Sequence, residues 1–119
     1  MDGMRFIVTL HGHVTLAADM IAHYRLPCDA TLAQVDAVAT TAAVGSLRIG
    51  TEADDDGYLP ATNIGASSTL VSVARGGFTG ALNPDPAECL HLPKGTVLRI
   101  QLAHNSSVHP DIALTFVEG

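Results

Sequence analysis

The residues 49–60, IGTEADDDGYLP, hold the densest chemistry in this 119-residue chain, with four of its twelve acidic residues inside five positions. Clustered carboxylates offer oxygen ligands to a hard cation such as calcium. A calcium loop of the EF-hand type wants oxygen donors at its first, third, fifth and twelfth places and glycine at its sixth. Here the donor places fall on Glu52, Asp54, Asp56 and Asn63, and the glycine place on Gly57. Asp54, Asp56 and Gly57 fit. Glu52 is longer than the usual Asp, and Asn63 cannot supply a bidentate carboxylate. Pro60 stiffens the second half, and no helices flank the run. The pattern therefore favours a strand ending at Ile49, an acidic turn at 54–57 that stays in water, and a re-entry at Tyr58 and Leu59. If the turn held a metal, Asp54 and Asp56 would be its ligands; none is assigned.

His11 and His13 are the second constellation. Residues i and i+2 of a strand share a face, so both imidazoles can reach one transition metal. The cupins use such a pair, with a Glu soon after it and a later His close behind a Pro-x-Gly step. Here the next acid is Asp19, Leu98 stands where the later His belongs, and His104 comes too late. A cupin-like metal protein is thus an alternative, and a polar or subunit-facing strand surface is the better reading of the pair. His23 falls on the polar side of its strand; His91, His104 and His109 fall in or beside loops. No serine sits in a Gly-x-Ser-x-Gly elbow. Cys28 follows a proline without a base nearby in sequence. The stretch 75–80, RGGFTG, lacks the Gly-Lys-Ser/Thr ending of a phosphate loop. No catalytic residue and no cofactor are assigned, and the chain reads as a non-enzyme.

The elements that carry these residues read as strands. Phe6, Val8, Leu10, Gly12, Val14 and Leu16 alternate with Ile7, Thr9, His11, His13 and Thr15, the mark of a long half-buried strand bent at Gly12. Alternation returns over 20–26, 98–103 and 112–117, with a loop over 103–111 and a turn over 92–95. In 31–43, Leu32, Val35, Val38 and Ala42 fit a helix face, but Thr31, Val35, Val38, Thr40 and Thr41 are β-branched and favour a strand. Short strands are expected at 46–50, 70–75 and 90–92. That makes about eight to ten short strands and no long helix, an all-β antiparallel β-sandwich or barrel forming one domain over 1–119.

Composition narrows the partners. Apolar residues make up 47% of the chain but aromatics only 4%, with no Trp. The core must come from Val, Ile, Leu and Ala, which predicts a thin core completed by partner subunits. The net charge is −6; Lys94 is the single lysine, and Arg5, Arg25, Arg48, Arg75 and Arg99 are scattered along the sequence. Nucleic acid and anionic membranes both demand clustered positive charge, so neither is an expected partner. No run is long and apolar enough for a membrane helix, and the N-terminus lacks secretory features. Cys28 and Cys89 fit no metal or redox spacing and read as buried thiols, with a disulfide left open.

The stretch 24–51, YRLPCDATLAQVDAVATTAAVGSLRIGT, resembles small β-sandwich proteins of tailed-phage virions, where a strand ends in a Leu-Pro step, a DATL-like turn follows and the next strand leads to GSLxI. The closing stretch 92–119, LPKGTVLRIQLAHNSSVHPDIALTFVEG, resembles them too. Together they cover roughly half the chain. The resemblance implies a jelly roll in a virion: a capsid decoration (cement) protein on the outside of the head, or a module of a tail, fibre or receptor-binding device. It implies a homo-oligomer, a trimer, with the major capsid protein as partner, and brings no catalytic residues. The first place to expect capsid contact is 1–6. A carbohydrate-binding sandwich is disfavoured, since only Tyr24 and Tyr58 could supply a ring platform beside three Phe.

Overall fold

The computed structural model describes residues 4–11, 20–39, 45–64, 70–85, 87, 89–104 and 110–119. Among these, the regular elements are strands: β1 (Arg5–His11), β2 (Met20–Arg25), β3 (Ala30–Ala39), β4 (Gly45–Gly50), β5 (Leu59–Ile64), β6 (Val71–Val73), β7 (Leu90–Leu92), β8 (Val97–His104) and β9 (Pro110–Glu118). They form two antiparallel sheets. One runs β1-β9-β3-β6, with β7 also on β3; the other runs β2-β8-β4-β5. First pairs with last, as β1 with β9 and β2 with β8, and inward to β3 with β6 and β7 and β4 with β5. Such a rolled double ladder is the jelly-roll form of the sandwich.

Alternation aims one side of every strand at the space between the sheets. β8 contributes Leu98, Ile100 and Leu102; β9 contributes Ile112, Leu114 and Phe116; β4 contributes Leu47 and Ile49, all buried. Phe116 stacks on Phe6, ring centroids 5.0 Å apart, and meets Tyr24 of the other sheet at 5.8 Å. The sparse aromatics are thus concentrated where the two sheets face each other.

β3 explains its own ambiguous sequence. Its ladder with β9 shifts register between Leu32 and Gln34. The extra residue changes the phase of alternation, so Leu32 and Val35, three apart as on a helix, both point inward and are buried. The strand ends at Ala39, and the rest of the expected 31–43 strand lies outside the described residues, as do Gly12, its expected bend, and Val14 and Leu16.

Several expectations change. The strand at 59–64 goes beyond the expected re-entry at Leu59. Pro60 obscures it in the sequence, yet β5 is an edge strand, where a missing N–H costs no ladder bond. The 103–111 loop shortens, since β8 runs to His104 and β9 starts at Pro110. Cys28 and Cys89 are free and half-buried rather than buried. The stretch between β6 and β7 is more than loop: Phe78 is fully buried, and the buried Asn83 amide donates to its carbonyl at 2.5 Å.

Candidate functional site: an acidic loop in a basic cradle

The loop between β4 and β5 is built from its backbone outward. Thr51 and Asp54 exchange N–H···O bonds of 2.8 and 3.2 Å, the Gly57 amide donates to the Asp54 carbonyl, and the Tyr58 amide closes the turn on the Ile49 carbonyl at 3.0 Å. Gly50 makes the reversal possible, because a Cβ there would run into the main chain of Asp54 and Asp55. On the far side, the Leu82 amide donates to the Gly57 carbonyl at 2.7 Å and the Gly80 amide to the Tyr58 carbonyl at 3.2 Å. Gly57 is buried by this contact, and Asp54 and Asp55 are half-buried, so the expected solvent-facing tip is reduced to Asp56 and the flank at Glu52 and Ala53.

Three basic side chains receive the loop, one from each of three adjacent strands. His23 of β2 faces Arg99 of β8, which faces Gly50 of β4; Arg48 of β4 faces Gln101 of β8. Arg48 Nη1 donates to Asp55 Oδ2 at 3.3 Å, and Arg99 Nη1 lies 3.8 Å from the same oxygen. Glu52 Oε1 bonds His23 Nε2 and lies 3.7 Å from Arg99 Nε. Scattered in sequence, Arg48 and Arg99 become a pair in space. Sequence reasoning misses them because their alignment depends on the β4–β8 register; the available signal is that both occupy outward positions of strands.

The electrostatics split the acids into two groups. The bond from His23, then the field of Arg99, hold the Glu52 carboxyl below the usual carboxylate range. A hydrogen bond shared with Asp56, followed by desolvation, pushes Asp54 up. For Glu52, the lowered folded value means that its clasp is complete above the unfolded carboxylate range and is lost as pH falls through the lowered value. Glu52→Gln is therefore expected to flatten the acid limb of loop protection. Amide hydrogen exchange at 52–57 from pH 7 to pH 3 checks this; a Gln variant with an unchanged acid limb would place the dependence on another group.

Of the EF-hand places, Asp54 and Asp56 come together. Glu52 is drawn to His23, and Asn63 sits exposed on β5 opposite Ser46. The carboxylates that do converge are Asp54, Asp55 and Asp56, with ligand oxygens within 4.8 Å of one another. Two guanidiniums already supply counter-charge to Asp55. The arrangement acts as an electrostatic clasp fastening the loop to β2, β4 and β8. His11 ends β1 opposite Asp111, while His13 lies outside the described residues. Thr31 and His91, cross-strand partners, share a hydrogen bond of 2.7 Å, and the Thr31 hydroxyl also lies 3.3 Å from the Gly119 carbonyl. An open cleft of about 550 Å³ lies between Arg25, Leu26, Pro27, Lys94 and Gly95. Among the described residues, none of these places joins a nucleophile to a base and an orienting third group.

No family model matches the chain, and no curated protein does. Solved structures do share its fold. A chain of the cyanophage Pam1 capsid asymmetric unit superposes with a TM-score of 0.53 at 16% identity, covering 99% of this chain and 87% of that one. The Yersinia pseudotuberculosis-derived mitogen superposes with a TM-score of 0.51 at 8% identity, covering 94% of this chain and 86% of that one.

Proposed function

We propose that this chain is a structural protein of a phage particle, a decoration protein that binds the assembled head and stabilises it. The observation that carries the reading is the match of nearly the whole chain to a chain of a phage capsid asymmetric unit, which agrees with the resemblance of 24–51 and 92–119 to virion sandwiches. The partner is the major capsid protein, and the chain acts as a homotrimer on the outside of the particle. The mechanism is mechanical. A protein that binds the closed shell and not its free subunits stabilises the shell by mass action. Rigid sheet faces suit that task, because a preformed surface loses little conformational entropy on docking.

Particles assembled without the protein are expected to lose their genome at lower temperature than complete ones, and purified protein added back is expected to restore the difference. Fluorescence of released nucleic acid during heating reads both. Equal release temperatures with and without the protein would remove the reading. A second reading, a tail, fibre or receptor-binding module, draws on the same resemblance of 24–51 and 92–119 to virion sandwiches. Labelled protein found on tails rather than heads by electron microscopy selects it.

A further inference from the structure

The six Lys and Arg side chains divide by what they meet. Arg48 and Arg99 face Asp55 and Glu52, and Arg75 Nε donates to the Ala87 carbonyl at 3.1 Å. Arg5, Arg25 and Lys94 have no ion pair and no side-chain hydrogen bond among the described residues. Two of these three stand together. β2 ends at Arg25, and the next residue is tied to the 93–96 turn: the Leu26 amide donates to the Thr96 carbonyl and the Gly95 amide to the Leu26 carbonyl, both at 2.9 Å. Arg25 Nη2 lies over that turn, 3.8 Å from where a Cβ on Gly95 would sit. The open cleft of about 550 Å³ between Arg25, Leu26, Pro27, Lys94 and Gly95 thus carries two uncompensated cations in a chain of net charge −6.

The lining narrows the ligand. Among the described residues no acid lines this cleft; Asp29, whose Oδ1 accepts from the Lys94 amide at 2.7 Å, borders the neighbouring cleft with His91 and Gly119. The amides of Leu26, Lys94, Gly95 and Thr96 all donate within the protein already. Phosphate is held best by several converging main-chain N–H groups, and here it would meet two side chains only. A carboxylate needs less, since a planar guanidinium bonds it in a pair and an ammonium adds a point charge. Buried Leu26 and exposed Pro27 supply an apolar wall for a short stem. We infer that this cleft is a carboxylate site for a glutamate side chain of another protein, the carboxylate between Arg25 and Lys94 and the methylenes against Leu26 and Pro27. An open cleft leaves one side of its occupant in water, which suits a side chain still attached to a partner's surface.

Exposure sets the strength. The volume lies within the range of small-ligand sites, about 300–1,000 Å³, but both cations are exposed, and exposed ion pairs contribute little. A single acidic segment therefore binds with a dissociation constant of about 1 mM or weaker. Such a contact holds a partner when it is repeated or joined to others. At physiological salt, charges farther away than about 8 Å are largely screened, so the two cations outweigh the distant acids behind the net charge. The site does not rest on the virion reading.

Amide-resolved NMR titration of the purified protein at constant ionic strength tests it. The probes are the blocked peptide Ala-Glu-Leu-Ala, the same peptide with Gln for Glu, glutarate, and inorganic phosphate. The Glu peptide is expected to shift the Leu26 and Gly95 amides to saturation, and the Gln peptide and phosphate to leave them in place. Arg25→Gln and Lys94→Gln are each expected to weaken peptide binding about threefold, the loss of one exposed pair; the double variant is expected to show no saturation, and Lys94→Arg to bind as the wild type does. Both side chains are exposed, so these variants keep the fold. A wild type whose Leu26 and Gly95 amides do not respond overturns the inference. So do variants that bind as the wild type does, a Gln peptide that binds equally, or phosphate that saturates the same amides. Glutarate binding more tightly than the Glu peptide overturns the protein source of the carboxylate. Failure of added-back protein to stabilise heads changes none of these outcomes.

Discussion

Phe116→Ala is expected to destabilise the protein by about 3–5 kcal/mol, the usual cost of emptying a fully buried phenylalanine site. The ring is fully buried in β9, an inner strand of its sheet. It stacks on Phe6 of the neighbouring strand at an interplanar angle of 13°, and it reaches Tyr24 across the sandwich. Three of the chain's five aromatic residues therefore meet at one point. In the ladders Phe116 lies between Phe6 of β1 and Leu32 of β3, so its strand is held on both sides and the cavity has little freedom to collapse. Domains of this size are stable by about 5–15 kcal/mol in total, so the variant loses a large share. At about 4 °C per kcal/mol, the midpoint of thermal unfolding falls by about 12–20 °C. Phe116→Leu keeps most of the volume and is expected to lose about a third as much. Circular dichroism melts of the two variants check both figures. A midpoint for Phe116→Ala within about 5 °C of wild type, worth little more than 1 kcal/mol, would mean that the aromatic contact does not hold the sheets together.

That contact shows what the sequence does and does not disclose. Alternation names Phe6 and Phe116 as inward residues because period-2 patterning is local: each strand states its own inner face. It also places β8, β9, β2 and β4 to within a residue or two of their ends. The partner of each strand is not legible. β1 pairs with β9 from the opposite end of the chain, and nothing between two such strands records their pairing. The same holds for the cradle. Asp54 and Asp56 are visible as neighbours in sequence, and the loop is bounded to within a residue, since β4 ends at Gly50 and β5 starts at Leu59. Arg48 and Arg99 lie 51 positions apart and read as isolated charges. Only the β4–β8 register puts both against Asp55. β3 is obscured differently: a bulge gives a strand the three-residue spacing of a helix, and β-branched composition has to decide between them. Phe78 stays hidden because a glycine-rich setting reads as exposed loop, while its burial depends on the fold of the 74–85 stretch, where the Asn83 amide holds its carbonyl. With few aromatics, leucine and isoleucine from β3, β4, β5, β7, β8 and β9 build the core, with Leu32, Leu98, Ile100 and Leu114 fully excluded from water.

Gly80→Ala tests the join between that stretch and the acidic loop, and it separates two reasons for keeping a glycine. A Cβ on Gly80 would press into the Gly57 carbonyl and the Tyr58 amide, main-chain atoms that cannot turn aside. The same segment carries the Gly80–Tyr58 and Leu82–Gly57 hydrogen bonds. Relief therefore means opening the join, and overpacking of this kind costs about 3 kcal/mol, the upper end of its range. Gly57→Ala meets chiefly the side chain of Leu82, which can change rotamer, and should cost less. Gly76→Ala meets nothing, but its φ of +84° charges a side chain about 1 kcal/mol of backbone strain. The expected order of melting midpoints is Gly76→Ala highest, Gly57→Ala next and Gly80→Ala lowest. The location of the damage matters as much as its size. Opening the join removes one of the loop's two anchorages and leaves the Arg48, Arg99 and His23 clasp alone. Hydrogen exchange at Gly57 and Tyr58 should then quicken in Gly80→Ala while the β1–β9 ladder keeps its protection. Uniform loss across the molecule would instead mean that the 74–85 stretch and the sandwich unfold as one unit, with the acidic loop holding no stability of its own.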